Sequence, residues 1–206
     1  MSTPPARILI YGVTGSGKTT LARRVGEATG LPWHSVDDEI GWLPEWTERP
    51  LEDQHRLAER ICTQQQWVLD TAYGKWADVP LSRVDLIVAL DYPRWLSLHR
   101  LVRRTLRRAV TREEACNGNI ESWRTLFSSD SIIVWHFRSW ARKRARIRQW
   151  VADPATARVR AAAHGRAVDP TPPRVVHLRT PAQTEAWLAT LGKAGTRGLR
   201  TDSLGR

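Results

Sequence analysis

The stretch from Gly12 to Thr19 reads Gly-Val-Thr-Gly-Ser-Gly-Lys-Thr and constrains this chain more than any other feature. It matches the full G-x-x-x-x-G-K-[ST] pattern, whose glycines let the backbone curl so that several N–H groups point at phosphate oxygens. An apolar strand over residues 6–11 precedes the loop, and residues 18–29 have helical periodicity that stops at Gly30. Because strand, glycine-rich turn and helix are the context that such a loop requires, the sequence predicts a phosphate-binding site.

The expected ligand of this loop is ATP with Mg²⁺. We expect Lys18 to reach the β- and γ-phosphates and the Thr19 hydroxyl to join the shell of the ion, which keeps several waters and needs few protein ligands. The positive end of the following helix favours the same anion. The residues expected to contact the nucleotide here are Gly12, Thr14, Gly15, Ser16, Gly17, Lys18, Thr19 and Thr20.

A carboxylate at the end of a neighbouring strand usually completes the Mg²⁺ site. Asp70, which follows the apolar residues 67–69, is the first candidate, and Asp91, which follows residues 85–90, is its competitor. Carboxylates at strand ends lie on the ligand side of such sheets. Aspartate is also a good N-cap, so capping the next helix is the alternative for both.

The rest of the chain alternates strands with helices, which predicts an α/β protein with a parallel sheet covered on both faces. Four further strands are predicted at 33–36, 67–69, 85–90 and 175–178, and further helices at 51–65, 93–110, 121–150 and 181–191. With 206 residues and 41% hydrophobic content, residues 1–191 are predicted to form one domain. A helical insertion covers about 100–150, and residues 192–206, rich in Gly and Arg, are expected to be disordered.

The net charge of +11, from 32 Lys and Arg against 21 Asp and Glu, suits a polyanionic partner such as a nucleotide, a nucleic acid or an acidic membrane surface. No apolar run approaches the roughly 18 residues that span a bilayer, and no signal-peptide pattern is present. The two cysteines, Cys62 and Cys116, lie far apart. This cysteine usage favours a reduced, cytoplasmic protein over a disulfide scaffold.

Several classes of protein with this loop fit the chain poorly. The Asn-Lys-x-Asp motif with which switch GTPases read guanine is absent, which makes adenine the preferred base. Motors and helicases end a strand with adjacent acidic residues, whereas Asp70 is followed by Thr71. A small phosphotransferase fits better, because phosphoryl transfer depends mostly on positioning and charge neutralisation.

Two basic segments suggest a lid that closes over the transferring phosphoryl group. In the first, Arg104 and Arg108 are the preferred catalytic pair because residues four apart share a helix face, with Arg100 and Arg107 as close rivals. The second comprises Arg138, Arg142, Lys143, Arg144, Arg146 and Arg148. The alternatives are a solvated helix face and a nucleic-acid-binding patch.

The acceptor is expected near the second strand, where residues 37–39 are all acidic. A carboxylate there can orient or deprotonate an acceptor hydroxyl, with Asp38 as first choice and Asp37 as second; helix capping is the alternative. Trp42 and Trp46 could stack on a flat substrate or pack on a neighbouring helix, and Tyr73 could border the site. Arg179, after the fifth strand, is the candidate for contact with the adenine ring.

These stretches together resemble the bacterial proteins labelled FlaR-like or DNA topology modulation, within the adenylate-kinase-like P-loop NTPases. The match covers roughly residues 6–191 and includes the segments 12–20, 67–73, 90–95, 103–108, 112–119 and 127–132. One departure is Thr71-Ala72, where the family usually has Gly-Asn before the tyrosine. The resemblance implies ATP binding and a P-loop fold with strands in the order 2-3-1-4-5.

Three functions are compatible with these predictions. The preferred one is a kinase that transfers the ATP γ-phosphoryl group to a small-molecule acceptor of nucleoside or nucleotide type. The second is a nucleotide-dependent nucleic-acid-binding protein, which the net charge and the family label favour. The third is a protein that binds ATP without transferring its phosphate.

Overall fold

The computed structural model describes residues 5–111, 113–120 and 132–199, in which helices and strands alternate along the chain. The strands are β1 (Arg7–Gly12), β2 (Trp33–His34), β3 (Trp67–Leu69), β4 (Leu86–Leu90), β5 (Glu114–Ala115), β6 (Asn119–Ile120) and β7 (Arg174–Leu178). The helices are α1 (Lys18–Thr29), α2 (Leu51–Cys62), α3 (Asp78–Leu81), α4 (Arg94–Thr111), α5 (Ile132–Ala152), α6 (Thr156–Ala162) and α7 (Pro181–Leu199).

The main sheet has five parallel strands in the order β2-β3-β1-β4-β7. This confirms the predicted α/β class and the order 2-3-1-4-5, with β7 as the fifth strand of the sheet. Strand β1 lies at the centre, where Leu9 pairs with Leu69 of β3 and with Ile87 of β4. The phosphate loop therefore leaves the middle of the sheet at its carboxyl edge, between the ends of two neighbouring strands.

Two hydrophobic clusters cover the two faces of the sheet. Since successive side chains of a strand point to opposite faces, Leu9 packs in one cluster and Ile8 in the other. The first cluster contains Trp67, Trp76 and Trp150, which are almost completely buried. The second lies under α1 and α7. The first cluster thus accounts for three of the 11 tryptophans as core residues.

Several elements differ from the sequence prediction. A short antiparallel hairpin, β5–β6, forms where only a polar loop was expected, and it turns through Asn117 and Gly118 with positive φ angles of 62° and 78°. Helix α7 continues to Leu199, beyond its predicted end at residue 191, so the segment expected to be disordered begins in a helix. Among the described residues, every helix is too short or too polar to cross a bilayer. Cys62 and Cys116 are both free thiols.

The predicted lid is described at its two flanks. Helix α4 carries the first basic segment and α5 carries the second. The start of the predicted helix at residue 121, and the family-like stretch at 127–131, lie outside the described residues. The domain limits accordingly stay predictions.

Candidate functional site

The phosphate loop has the backbone that its glycines predict. Gly15 and Gly17 have positive φ angles of 82° and 90°, a region that other residues rarely adopt. A β-carbon at Gly15 would also collide with the carbonyl oxygen of Ser97 in α4, and one at Gly12 would lie 2.9 Å from the carbonyl oxygen of Leu90. The loop is thus packed tightly between the end of β4 and the first turns of α4.

Two side chains of the loop are arranged to meet an anion. Lys18 Nζ donates a hydrogen bond of 3.1 Å to the carbonyl oxygen of Val13, so its charge lies across the loop. Burial lowers the pKa of Lys18, and the negative charges of Asp70 and Asp37 oppose that shift. The hydroxyl oxygen of Ser16 is buried without a hydrogen-bond partner among the described residues. Phosphate oxygens would supply the ligand that both groups suit.

The predicted Mg²⁺ ligands meet in the structure. Thr19 Oγ1 donates to Asp70 Oδ2 at 2.6 Å, and the other carboxylate oxygen of Asp70 accepts the backbone N–H of Val36 at 2.9 Å. Burial raises the pKa of Asp70, while these two hydrogen bonds oppose the rise. A hydroxyl and a carboxylate side by side, next to a phosphate site, fit a hard cation that takes oxygen ligands.

The competing carboxylate has other partners. Asp91 is buried and pairs with Arg144 Nε of α5 at 2.9 Å and with His177 Nε2 of β7 at 3.1 Å. Both oxygens are therefore engaged by cationic or N–H groups. This arrangement ties α5 to the sheet and favours a structural role for Asp91, which leaves Asp70 as the carboxylate beside Thr19.

A cavity of about 370 Å³ opens beside the loop, within the range of about 300–1,000 Å³ usual for small-molecule sites. Residues 15–17 form its floor, and α1, α4 and α7 form its walls, the last through Pro181, Thr184 and Glu185. Thr20 lines it, as predicted for a nucleotide contact. Arg179 is exposed and lies outside this lining, and its backbone N–H is bonded to Gln183. The first turns of α7, rather than Arg179, face the cavity.

The arginines of α4 divide into two groups. Arg104 and Arg108 are half-buried, whereas Arg100, Arg103 and Arg107 are exposed. Arg104 lines the cavity, and its positive charge lowers the pKa of both Lys18 and Cys116. The positive charge of Arg108 also lowers the pKa of Cys116, which lies in the hairpin, close to Asp37 and Asp38. Arg104 is therefore near the phosphate loop, and both residues of the predicted pair are near the hairpin.

The acidic segment forms a single π-helical turn, Asp37–Gly41. Asp37 accepts a hydrogen bond from the Tyr73 hydroxyl, and its negative charge raises the pKa of Lys18 and Lys143. The carboxylate of Asp38 instead accepts a hydrogen bond from the Ser35 hydroxyl at the start of the same turn. The turn has no side-chain cap, so the capping alternative for Asp38 is not observed, and Asp37 is the carboxylate whose charge reaches the amines of the phosphate site.

The hairpin β5–β6 fastens this segment. Asn117 Nδ2 donates to the carbonyl oxygens of Asp38 and Trp42, both at 2.6 Å. Asn119, which is buried, donates to the carbonyl oxygen of Leu43 at 2.9 Å and accepts the backbone N–H of Trp46 at 2.6 Å. Trp42 and Trp46 contact each other edge to face with ring centroids 5.9 Å apart. These tryptophans thus pack together in a segment held by two asparagines.

Sequence reasoning missed one residue of the site and gave a second no role of its own. His136 of α5 is fully buried, and its Nδ1 lies 3.0 Å from the carbonyl oxygen of Thr14 in the phosphate loop. Lys143, named in the sequence only within a basic run, has its Nζ 3.5 Å from the carbonyl oxygen of Gly12. Burial lowers the pKa of Lys143 to about 7, and the nearby charge of Lys18 lowers it further. No local pattern links either residue to the phosphate loop, because each is more than 120 residues from the loop residue it contacts.

Comparison with known proteins supports no family assignment. No protein-family model matches the chain, and no curated protein matches it, so the FlaR-like resemblance is not confirmed. Similar solved structures include a sugar kinase from Janibacter sp. HTCC2649 (19% identity, 94% of this chain and 98% of that chain, TM-score 0.48). A shikimate kinase from Acinetobacter baumannii has 15% identity, 97% and 96% coverage and a TM-score of 0.47. A deoxyadenosine kinase from M. mycoides has 12% identity, 90% and 98% coverage and a TM-score of 0.44. At these values the similarity identifies neither a substrate nor a reaction for this chain.

Proposed function

We propose that the protein is a small-molecule kinase that uses Mg²⁺ and ATP. One arrangement carries the proposal: the phosphate loop borders a cavity of small-molecule size, and the carboxylate of Asp37 and the guanidinium group of Arg104 both lie close enough to Lys18 to shift its pKa. A protein that only binds ATP has no need of a carboxylate held near the loop. A kinase needs one, to orient or deprotonate the acceptor hydroxyl.

The proposed roles follow from these contacts. Lys18 binds the β- and γ-phosphates, and Thr19 with Asp70 holds the Mg²⁺ ion, which neutralises the phosphates when bound. Arg104 and Arg108 neutralise charge on the transferring group. Asp37 acts on the acceptor hydroxyl, with Asp38 beside it. In balanced form, the acceptor hydroxyl gives its proton to the Asp37 carboxylate as its oxygen bonds to the γ-phosphorus. The bond from the γ-phosphorus to the bridging oxygen breaks, and that oxygen leaves on ADP.

The decisive experiment measures acceptor-dependent ADP formation by the full chain. A panel of nucleosides, nucleotides and small hydroxylated compounds is offered with Mg²⁺ and ATP. We expect at least one acceptor to stimulate ADP release, and we expect Lys18→Ala to abolish ATP binding. The exposed Lys75, whose partner is Glu48, supplies the control Lys75→Ala. ATP binding without stimulated ADP formation by any acceptor would leave the ATP-binding function and reject the kinase.

Two substitutions separate the acidic candidates. Asp37→Asn is expected to lower kcat strongly while the Kd for ATP changes little. The reason is that the proposed role of this carboxylate is to orient or deprotonate the acceptor hydroxyl, not to bind ATP. Asp38→Asn is expected to act mainly on the stability of the turn, because its carboxylate bonds to Ser35. If Asp38→Asn alone removed turnover, the original sequence prediction for that residue would be right and the assignment to Asp37 wrong.

A groove on α4 supports the second candidate, a nucleic-acid-binding protein. It has a volume of about 260 Å³ and is lined by Arg100, Arg103, Arg104 and Arg107. Binding of DNA or RNA through such a groove would weaken steeply with salt. The test is the salt dependence of oligonucleotide binding by the wild type and by the double variant Arg103→Gln/Arg107→Gln. No binding even at low salt would remove this candidate.

A further inference from the structure

A row of cations extends from Lys18 away from the nucleotide cavity. Lys143 Nζ lies 3.5 Å from the carbonyl oxygen of Gly12, and Arg146 Nη1 donates to the Tyr11 hydroxyl at 3.4 Å. Arg160 Nη2 of α6 donates to the carbonyl oxygen of Gly74 at 2.9 Å. Tyr11 and Gly12 end β1, and Gly74 follows β3, so the row lies at the carboxyl edge of the sheet, where the phosphate loop begins.

The positive charges in this row lower the pKa of their neighbours. Burial is the main cause of the lowered pKa of Lys143, and the positive charges of Lys18, Arg142 and Arg146 add to it. Burial also lowers the pKa of Arg160, with the charge of Arg146 as the next cause. Like charges that are gathered in a partly buried place destabilise one another, and an anion between them relieves that cost.

The acids near this row already have other partners. Asp37 raises the pKa of Lys18 and Lys143, Asp70 raises that of Lys18, and Asp78 raises that of Arg160. Asp78 is already bonded to Arg166, and Asp37 accepts the Tyr73 hydroxyl. The Nε atom of Arg160 is buried and has no hydrogen-bond partner among the described residues. The row therefore has both charge and a donor to offer a ligand.

The row lies beside the acceptor carboxylate. Tyr73 holds Asp37, and the next residue, Gly74, holds Arg160. A small acceptor with its hydroxyl at Asp37 would thus find these guanidinium groups on its other side. We propose that the acceptor carries an anionic group, a carboxylate or a phosphate, in addition to the hydroxyl that receives the phosphoryl group, and that Arg146 and Arg160 bind it.

This inference rests on the proposed kinase function and narrows its substrate class. Guanidinium groups suit carboxylates and phosphates because their N–H donors match two oxygens at once. The Tyr11 hydroxyl accepts its hydrogen bond from Arg146, so its own proton is available to a ligand oxygen. Neutral sugars, polyols and nucleosides cannot use this positive charge.

The first test measures binding without turnover. With Mg²⁺ and a non-hydrolysable ATP analogue filling the phosphate loop, the full chain is titrated with glycerate, glycerol, a sugar phosphate and the matching free sugar. We expect at least one anionic probe to bind and its neutral partner not to bind. Glycerate and the sugar phosphate distinguish a carboxylate from a phosphate as the preferred group. Absence of anion binding would overturn the inference.

A set of double variants distinguishes binding at Arg146 and Arg160 from the effect of the protein's overall positive charge. Arg146→Gln/Arg160→Gln is expected to weaken anion binding by about ten-fold or more, while the affinity for the ATP analogue is unchanged. The double variant Arg60→Gln/Arg174→Gln removes the same charge from exposed positions and should behave as wild type. Arg146→Lys/Arg160→Lys keeps the charge if the glutamine variant folds poorly, and an intermediate affinity is expected. Equal weakening by the control pair would overturn the assignment.

Turnover with the same probes distinguishes the two proposals. Anion binding without ADP formation across the acceptor panel rejects the kinase and with it the acceptor role of the row. ADP formation with neutral acceptors in preference to their anionic partners keeps the kinase and overturns this inference. Turnover that prefers the anionic partner, and loses that preference through a raised KM in Arg146→Gln/Arg160→Gln, supports both.

Discussion

The hydroxyl of Thr19 donates a 2.6 Å hydrogen bond to the carboxylate of Asp70, a residue 51 positions further along the chain. The contact joins the last residue of the phosphate loop to the end of the neighbouring strand β3. Because the second carboxylate oxygen is bonded to the backbone of Val36, Asp70 is held in one orientation. An ion bound between Thr19 and a triphosphate would meet this carboxylate without rearrangement of the backbone.

Asp70→Asn should reduce the Mg²⁺ dependence of ATP binding. The amide can still accept from Thr19 but carries no negative charge, so the affinity in Mg²⁺ is expected to fall by about ten-fold or more, equivalent to about 1.4 kcal/mol. Calorimetric titration with and without Mg²⁺ measures the effect. Asp91→Asn is the matched control, because it loses its contacts with Arg144 and His177 and should lower Tm while keeping the Mg²⁺ dependence. The reverse pattern would assign the ion to Asp91.

Nucleotide binding at pH 8 should take up a proton at Lys143. Its pKa of about 7 in the free protein lies below the ordinary value of 10.5, so the amine is mostly neutral at pH 8. A triphosphate beside it favours the charged form, raises that pKa and draws a proton from the buffer. Calorimetry in buffers of different ionisation enthalpy counts the proton, and Lys143→Met should abolish the uptake. Uptake that persists in this variant would assign the proton to another group.

Tyr73→Phe should lower kcat with little change in the Kd for ATP. The substitution removes the hydroxyl that donates to Asp37, so the carboxylate loses the contact that holds it toward the phosphate loop. The phenyl ring keeps the packing against Trp76, whose ring centroid lies 5.6 Å away. Steady-state kinetics with an acceptor that stimulates ADP formation in the panel checks the prediction. An unchanged kcat would show that Asp37 is positioned without Tyr73.

Asn119→Ala should destabilise the protein and loosen the acceptor segment. The buried amide connects Leu43 and Trp46 through two hydrogen bonds, and leaving their backbone groups unpaired costs about 1–3 kcal/mol. Chemical denaturation followed by tryptophan fluorescence measures the free energy of unfolding. The exposed Asn117 bonds to the same segment, so Asn117→Ala should raise the acceptor KM with a smaller loss of stability. Equal stability losses would contradict this distinction between buried and exposed amides.

Local sequence patterns were sufficient for most of the fold. Helix α1 has the bounds that its periodicity and Gly30 predict, and β4 begins within one residue of its predicted start. Prediction was poorer where the pattern was weak, as in the two-residue strands of the β5–β6 hairpin. Such short strands have too few residues for a period to appear, and the hydrogen bond from Asn119 to Leu43 joins residues 76 positions apart, beyond the reach of a local pattern.

The sequence by itself determined that this chain has a phosphate loop in the strand–loop–helix setting that such a loop needs. That information is local, since the glycines, Lys18 and Thr19 lie within eight residues of one another. The tertiary structure decided which distant groups lie near the loop: Asp70 rather than Asp91, Asp37 more than Asp38, Lys143 out of a whole basic run, and His136, which no pattern indicated. The physical reason is that charges and hydrogen bonds act across a few ångströms of space, and only folding brings residues from separate strands and helices within that distance.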